Sequence, residues 1–399
     1  MAVAATPFYE KTDEQKAILE MVRQFVDEQI LPRAEHYDAN DEFPEPIVEQ
    51  MKELGLFGVT IPEEHGGMGL DLTTYAMIVE ELSRGWISIS GVVNTHFIGS
   101  YLLMKFGTDE QKERLLPRMA TGEIRAAFSL SEPELGSDVA AIKTSAVKSG
   151  DDYEITGQKM WVTNGLRSGV VFVLVRTDKD ADKPQRGMTC FICEKEPGVA
   201  ESPGLTIPPQ IRKLGYKGVE STELVFDAYR CPADMILGGE EAGLNKGFAQ
   251  MMDALEVGRV NVAARGVGIG QRALELALRY SQQRSAFGKP IAQHQAIQFK
   301  LADMATKIEA ARLLTLKAAR MKDAGERSDL EAGMAKLFAS EAGKEAVEDA
   351  FRIHGGYGYS KEYEIERLYR DAPLLLIGEG TSEIQRMVIG RTLLRRNKI

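Results

Sequence analysis

The spacing of apolar side chains changes twice along this chain, and few folds accommodate both changes. Up to about residue 120 they recur at three- and four-residue steps. From about Ile124 they gather in short β-rich bursts, and from about Glu240 the helical spacing returns. The late segments 244–283, 290–324 and 330–353 each sustain an apolar stripe with short connections, as in a bundle of long antiparallel helices. Between them, 170–175, 188–193 and 222–226 are runs rich in β-branched and aromatic residues, separated by Gly, Asp, Asn and Pro. That is the pattern of an antiparallel sheet or barrel.

The early helices have recognisable ends. Thr12 with Gln15 forms a capping-box pattern, and Ile18, Met21, Val22, Phe25, Val26 and Ile30 follow at helical steps until Pro32, where the spacing predicts a stop. A second helix is expected over 46–54. The glycine-dense 62–69 reads as a turn, and a longer helix then includes Tyr75, Ile78, Val79 and Leu82. With 399 residues, 44% of them hydrophobic, the chain can bury a large core. Its net charge of −10, without long runs, argues against nucleic acid or an anionic membrane as the main partner. No stretch reads as an integral membrane span, residues 1–15 lack a basic leader pattern, and the default expectation is cytoplasmic. Cys190 and Cys193 lie within a strand-like run and read as structural. His36, His65, His96, His294 and His354 are scattered without ligand spacing, so no metal site is expected.

Three stretches carry candidate chemistry. In 377–386, glycines 378 and 380 bracket Glu379, and Thr381, Ser382 and Glu383 offer caps for a helix whose stripe includes Ile384, Met387, Val388 and Leu394. Alone, Glu379 is either a solvated turn residue or a base projected into a cavity. The loops 128–138 and 157–165 set hydroxyls and an indole beside glycines. They read equally as hairpin turns with Trp161 in the core, or as a seat for a flat heteroaromatic ligand held by Ser131 and Thr163. Arg284 and the 355–358 glycine cluster, each beside a helix end, suit a pyrophosphate.

Together these motifs resemble the acyl-CoA dehydrogenase family over most of the chain: Ser131-Glu132-Pro133 ending in Gly136-Ser137-Asp138, the 157–165 segment, Arg284-x-x-Phe287-Gly288, His294-Gln295, Gly355-Gly356-x-Gly358 and Glu379-Gly380-Thr381. The resemblance implies an α+β, mostly α fold. Its parts would be an N-terminal helical domain (1–122), a middle antiparallel β-barrel domain (123–237) and a C-terminal four-helix bundle (238–399). It also implies a homotetramer with FAD at subunit contacts. Ser131 and Thr163 would meet the reactive edge of the flavin and Trp161 its ring, with Phe128, Leu130, Gly136, Ser137 and Val162 around them. Arg284, Phe287, His294, Gln295 and Arg352, with Gly355 and Gly356 of a neighbouring subunit, would hold the pyrophosphate and adenosine half, and Thr381 and Glu383 complete that site. Ser137, Glu256, Arg259, Gly378, Gly380 and Arg391 match acyl-CoA-contacting positions.

Glu379 is then the expected base. It would remove the α-proton of a thioester while the β-hydride passes to flavin N5, giving a trans-2-enoyl-CoA, and electron-transferring flavoprotein would collect the electrons. Some family members take their base from the helix around Arg259, but the matching position here is Gly258, with Glu256 half a turn away. Gly378 stands where many members carry an aromatic residue, and Arg352 where a glutamine is often found. The alternatives are a same-fold flavin oxidase or monooxygenase, or a non-catalytic acyl-CoA- or FAD-binding protein.

Overall fold

In the computed structural model, residues 11–398 are described; the leader reading of 1–15 therefore falls largely outside them. The Thr12/Gln15 capping box forms and opens α1 (Asp13–Phe25). Pro32 does not stop the helix, however. The backbone widens into one π turn (Val26–Ile30), in which Leu31 N–H reaches back to Val26 O, and continues as α2 (Leu31–Asn40) with the proline in its first turn. A proline lacks the donor and clashes with the carbonyl four residues back, and the extra residue in the turn relieves both. Gly85 lets the next layer press on this widened turn, since a Cβ there would come within 2.7 Å of Val26.

Four more helices complete the N-terminal layer: α3 (Glu45–Glu53), α4 (Leu72–Gly85), α5 (Ile87–Phe106) and α6 (Asp109–Ala120). Contrary to expectation, α5 is long and apolar enough to cross a membrane by length and composition, but 89% of its apolar window is buried inside the protein. It is a core helix. His96, on α5, accepts from Ala126 N and meets Phe57 O at 3.2 Å, and burial pushes its pKa down to about 4, so its neutral ring splices helix to sheet.

The sheet comprises β1 (Ala126–Ser129), β2 (Ser145–Ser149), β3 (Asp152–Thr163), β4 (Val170–Arg176), β5 (Met188–Glu194), β6 (Glu201–Ser202), β7 (Leu205–Thr206) and β8 (Ser221–Pro232). The order is β1-β4-β2-β3-β8-β7-β6, with β5 on the other side of β4. Pairings are antiparallel except at β4, which runs parallel to β1 and touches β2 through one parallel bridge, Ser145 to Arg176. β1 enters from the helical layer rather than through a hairpin, which frees it to run parallel. Cys190 and Cys193 are buried free thiols on β5.

A short helix, α7 (Gly239–Gly243), leads into the bundle: α8 (Gly247–Gln283), α9 (Gln295–Asp323), α10 (Asp329–His354) and, after α11 (Ile365–Asp371) and α12 (Pro373–Ile377), α13 (Ser382–Arg396). α8 and α10 run parallel, with Glu256 bonded to Ser328 at one end and Tyr280 stacked on His354 at the other. α9 runs against them, and α13 against α10, with Arg396 on Asp329. At the crossing of α8 and α10, a Cβ on Gly266 would lie 2.6 Å from Ala339 O, and one on Gly343 would overlap Gly266 O. The expected stripe on α13 does not face this core: Met387 and Leu394 are exposed, while Ser382, Gln385 and Thr392 are buried.

Candidate active site

Glu379 sits on the turn between α12 and α13. Gly378, the extended C-cap of α12, donates to Leu374 O; Glu379 itself adopts φ +53°, and Gly380 φ +90°. The second glycine thus supplies the left-handed backbone and Glu379 shares the strain. Two side chains hold the turn. Gln385 donates to Glu379 O and Gly380 O at 3.2 Å each, and Lys336, buried on α10, donates to Gly380 O at 2.8 Å. Burial pushes the Lys336 amine down to about 8. Thr381 caps α13 by accepting from Ile384 N, as expected.

The carboxylate points inward. Asn94 on α5 donates to Glu379 Oε1 at 2.7 Å, while Oε2 is buried with no hydrogen-bond partner. Burial raises the carboxyl above its ordinary range, opposed by the Asn94 bond and by the charges of Arg265, Lys336 and Arg259. The only Cβ-free position on α8 facing it, Gly258, is needed for room, because a Cβ there would overlap Oε2. Glu256 is engaged elsewhere, by Ser328 at 2.9 Å and Lys322 at 3.3 Å. Arg259 is largely buried with Nε unpartnered. Ser137 and Arg391 are exposed.

The 157–165 segment is mostly strand, not loop. β3 carries it, and a bulge between Lys159 and Val162 sets Trp161 at φ +64° with its ring 57% exposed, which rules out a core role. Met160 N donates to Ser131 O, and buried Lys159 donates to Leu130 O and Glu132 Oε1, both at 3.0 Å. The bulge and the 130–132 loop are therefore locked together, bringing Ser131 beside Trp161. Leu130 and Val162 are buried, so their side chains are structural and only their backbones are available to a ligand. Thr163 reaches the Tyr216 hydroxyl, which also feels Glu379 and Arg265.

A second group of predicted residues converges elsewhere. Arg284, Gly355 and Gly356 line one cleft of about 530 Å³, with Tyr280, His354 and Tyr357. Arg284 has no carboxylate partner among the described residues, its guanidinium lying 5.8 Å from the Tyr357 ring centre. Phe287 stands 95% exposed at φ +52°, beside His294, which meets Ala286 O at 3.1 Å. Gln295 and Glu383 are exposed, and Arg352 is occupied by Glu348 at 2.7 Å. Arg284 and both glycines thus line the same cleft of one chain. This cleft is remote from Glu379: the 25 residues of α8 from Arg259 to Arg284 span roughly 37 Å at the helical rise.

Three family models cover almost the whole chain: acyl-CoA dehydrogenase N-terminal domain over 12–123, middle domain over 127–229 and C-terminal domain over 245–394. The chain belongs to the acyl-CoA dehydrogenase family. It is 44% identical to a probable acyl-CoA dehydrogenase, YngJ, of Bacillus subtilis (strain 168), over 97% of this chain and 100% of that one. Butyryl-CoA dehydrogenase from Megasphaera elsdenii superposes with a TM-score of 0.92 at 36% identity, over 97% of this chain and 100% of that one. A chain in the structure of the electron transferring flavoprotein of Acidaminococcus fermentans also reaches 0.92, at 37% identity over 97% and 99%. As an acyl-CoA dehydrogenase family member the protein is an FAD-dependent oxidoreductase. Its own residues fit that cofactor: an outward-facing indole beside two hydroxyl residues suits a flat ring, and an unpaired arginine beside exposed glycine backbone suits a pyrophosphate.

Several working residues lay outside the sequence reading: Asn94, Lys336, Gln385, Tyr216 and Arg265. Their signal was present. Asn94 and Lys336 are each a polar residue on a helical face otherwise lined by apolar or small residues, and Arg265 is one turn from another buried polar residue, Asn261.

Proposed function

We propose that this acyl-CoA dehydrogenase family member oxidises an acyl-CoA thioester between Cα and Cβ to the trans-2-enoyl thioester, with Glu379 taking the α-proton. The observation that carries this reading is the Glu379 carboxylate: buried, held on one oxygen by Asn94, free on the other. Excluding water leaves the ionised form a stronger base than a solvated glutamate. The Glu379 backbone N–H makes no hydrogen bond among the described residues, so it is available to a thioester oxygen as negative charge develops there. FAD, when bound, supplies the acceptor for the hydrogen and electron pair leaving Cβ. Ser131, Thr163 and Trp161 would orient its ring, and Glu256, Arg259, Ser137, Gly378, Gly380 and Arg391 would line the path of the acyl-CoA.

Arg284 lies at the end of α8, roughly 37 Å along it from Arg259, with Gly355 and Gly356 in the same cleft and Phe287 just beyond; that separation from the Glu379 turn supports a homotetramer in which another copy supplies them. Electron-transferring flavoprotein is the proposed electron acceptor, in keeping with the family's structural neighbours.

The test is anaerobic stopped-flow mixing of the FAD-loaded protein with a panel of acyl-CoAs. The parent should bleach. Glu379→Gln keeps the volume and should still bind, shifting the flavin spectrum, while reduction slows by at least about 10²–10⁴-fold. Bleaching of the variant at the parent rate would remove Glu379 from the role of base. Rapid reoxidation of the reduced parent by air would favour a flavin oxidase instead.

A further inference from the structure

Two helical faces meet Glu379. On α8, Gly258, Asn261 and Arg265 follow at steps of three and four, and on α5 Phe97 and Ile98 lie three and four residues beyond Asn94. Tyr75 of α4 closes the gap, stacked on Phe97 with ring centres 4.0 Å apart and accepting from Asn261 Nδ2 at 2.8 Å. Tyr75 in turn feels the charges of both Glu379 and Arg265, so the three lie near one another.

A site for a plain hydrocarbon tail would be lined by aliphatic groups. This one holds buried polar atoms without partners: Arg265 Nε, Asn261 Oδ1 and Asn94 Oδ1. Arg265 is 4% exposed and has no carboxylate within 4 Å; it donates through Nη2 to Ile87 O at 3.3 Å and lies 5.1 Å from the Tyr216 ring centre. Three other buried arginines are paired with carboxylates, Arg84 with Asp27 and Glu81, and Arg272 and Arg367 with Glu364, while Arg125, which has none within 4 Å, feels the charges of Glu220 and Glu45. A buried guanidinium with an unused donor is costly unless something anionic completes it.

We propose that Arg265 is a specificity residue that receives a carboxylate at the far end of the acyl group, so that the preferred ligand is a short dicarboxylic acid carried as its mono-CoA thioester. This rests on the dehydrogenase reading above for the placement of the thioester at Glu379. Chain length follows from the helix. Arg265 is seven residues beyond Gly258, about 10 Å of rise, and helical side chains lean back toward the N-terminus. The gap left between the two groups suits about three to five carbon–carbon bonds.

Calorimetric titration of the FAD-loaded Glu379→Gln protein tests this without turnover. Matched pairs are compared, each ω-carboxyacyl-CoA of four to six acyl carbons against the unsubstituted acyl-CoA of equal length. The carboxylated member should bind at least about tenfold more tightly, and Arg265→Leu in the same background should abolish the preference while leaving affinity for the unsubstituted member within about twofold. Arg265→Lys, which keeps the charge, should retain part of it. Equal affinities before substitution, or a preference that survives Arg265→Leu, overturns the proposal, and if Arg265→Leu does not fold the matched pairs alone decide. Bleaching of the parent by the same compounds is followed in parallel. Preference without bleaching sinks the dehydrogenase reading but leaves the carboxylate site standing, whereas bleaching only by unsubstituted acyl-CoA does the reverse.

Discussion

Glu379 shows how a single carboxylate is tuned by opposing neighbours. Burial pushes its pKa up, and the Asn94 amide and three cations pull it down. The sign of a change at Asn94 is therefore fixed. Asn94→Ala removes a donor that favours the ionised form, so the pKa rises further and the acid limb of the kcat/KM profile should move up by about one pH unit, equivalent to about 1.4 kcal/mol. Below that limb the base is protonated and the rate falls; well above it the variant should approach the parent. A profile measured with one substrate and a limb that stays in place would show that Asn94 does not act on the carboxyl. The proposed base was legible in sequence only through the family resemblance, since two glycines and a capping threonine mark a turn at Glu379 but do not by themselves separate a base from a solvated residue. Asn94 was not, because it is 285 positions away and only the tertiary fold makes it a neighbour. Lys336 stands out as a cation among small residues on α10, but its bonds run to backbone carbonyls, so the sequence does not say what it holds.

Among the elements, periodicity located the long helices well, and its failures share one cause, a local rule outweighed by packing. Pro32 reads as a helix breaker, yet a π turn carries the chain past it because Val26 and Ile30 are both fully buried. The segment around Trp161 reads as a loop because its glycines and polar residues mimic one, while the partner strand β8 holds it in a bulged ladder. On α13 the apolar stripe was real but faces outward, since α10 is met by small and polar residues instead. The crossing of α8 and α10 gives a direct check on packing. Gly343→Val must push its side chain into the backbone at Gly266, not into a flexible side chain, so the helices have to separate. The expected cost is about 1–3 kcal/mol. Thermal scans at fixed rate and concentration should show a lower melting temperature with FAD content reduced in step; an unchanged melting temperature would mean that the two helices can separate there without cost.

For the molecule as a whole, Arg284 ends a helix about 55 Å long, roughly 37 Å along it from Arg259, so the residues proposed to hold the two halves of FAD are set far apart in one chain. Arg284→Ala should therefore weaken FAD retention and assembly together, losing on the order of 1.5–3 kcal/mol from a charged hydrogen bond. Absorbance ratios and analytical ultracentrifugation would read the two effects; full FAD occupancy with unchanged assembly removes Arg284 from the cofactor site. Sequence alone pointed to these residues through their motifs but not to their separation, which emerges only when α8 is seen to run unbroken. The burial of α5 has a further consequence, in time rather than space. Its cover includes α8, whose first residue follows the end of α5 by 141 positions. At about 5–20 residues per second, a ribosome leaves a helix that a bilayer would accept waiting roughly 7–28 s for its partner. During that interval the nascent chain presents its most apolar surface to the cell, and synthesis, not the finished fold, is when this protein most needs a chaperone.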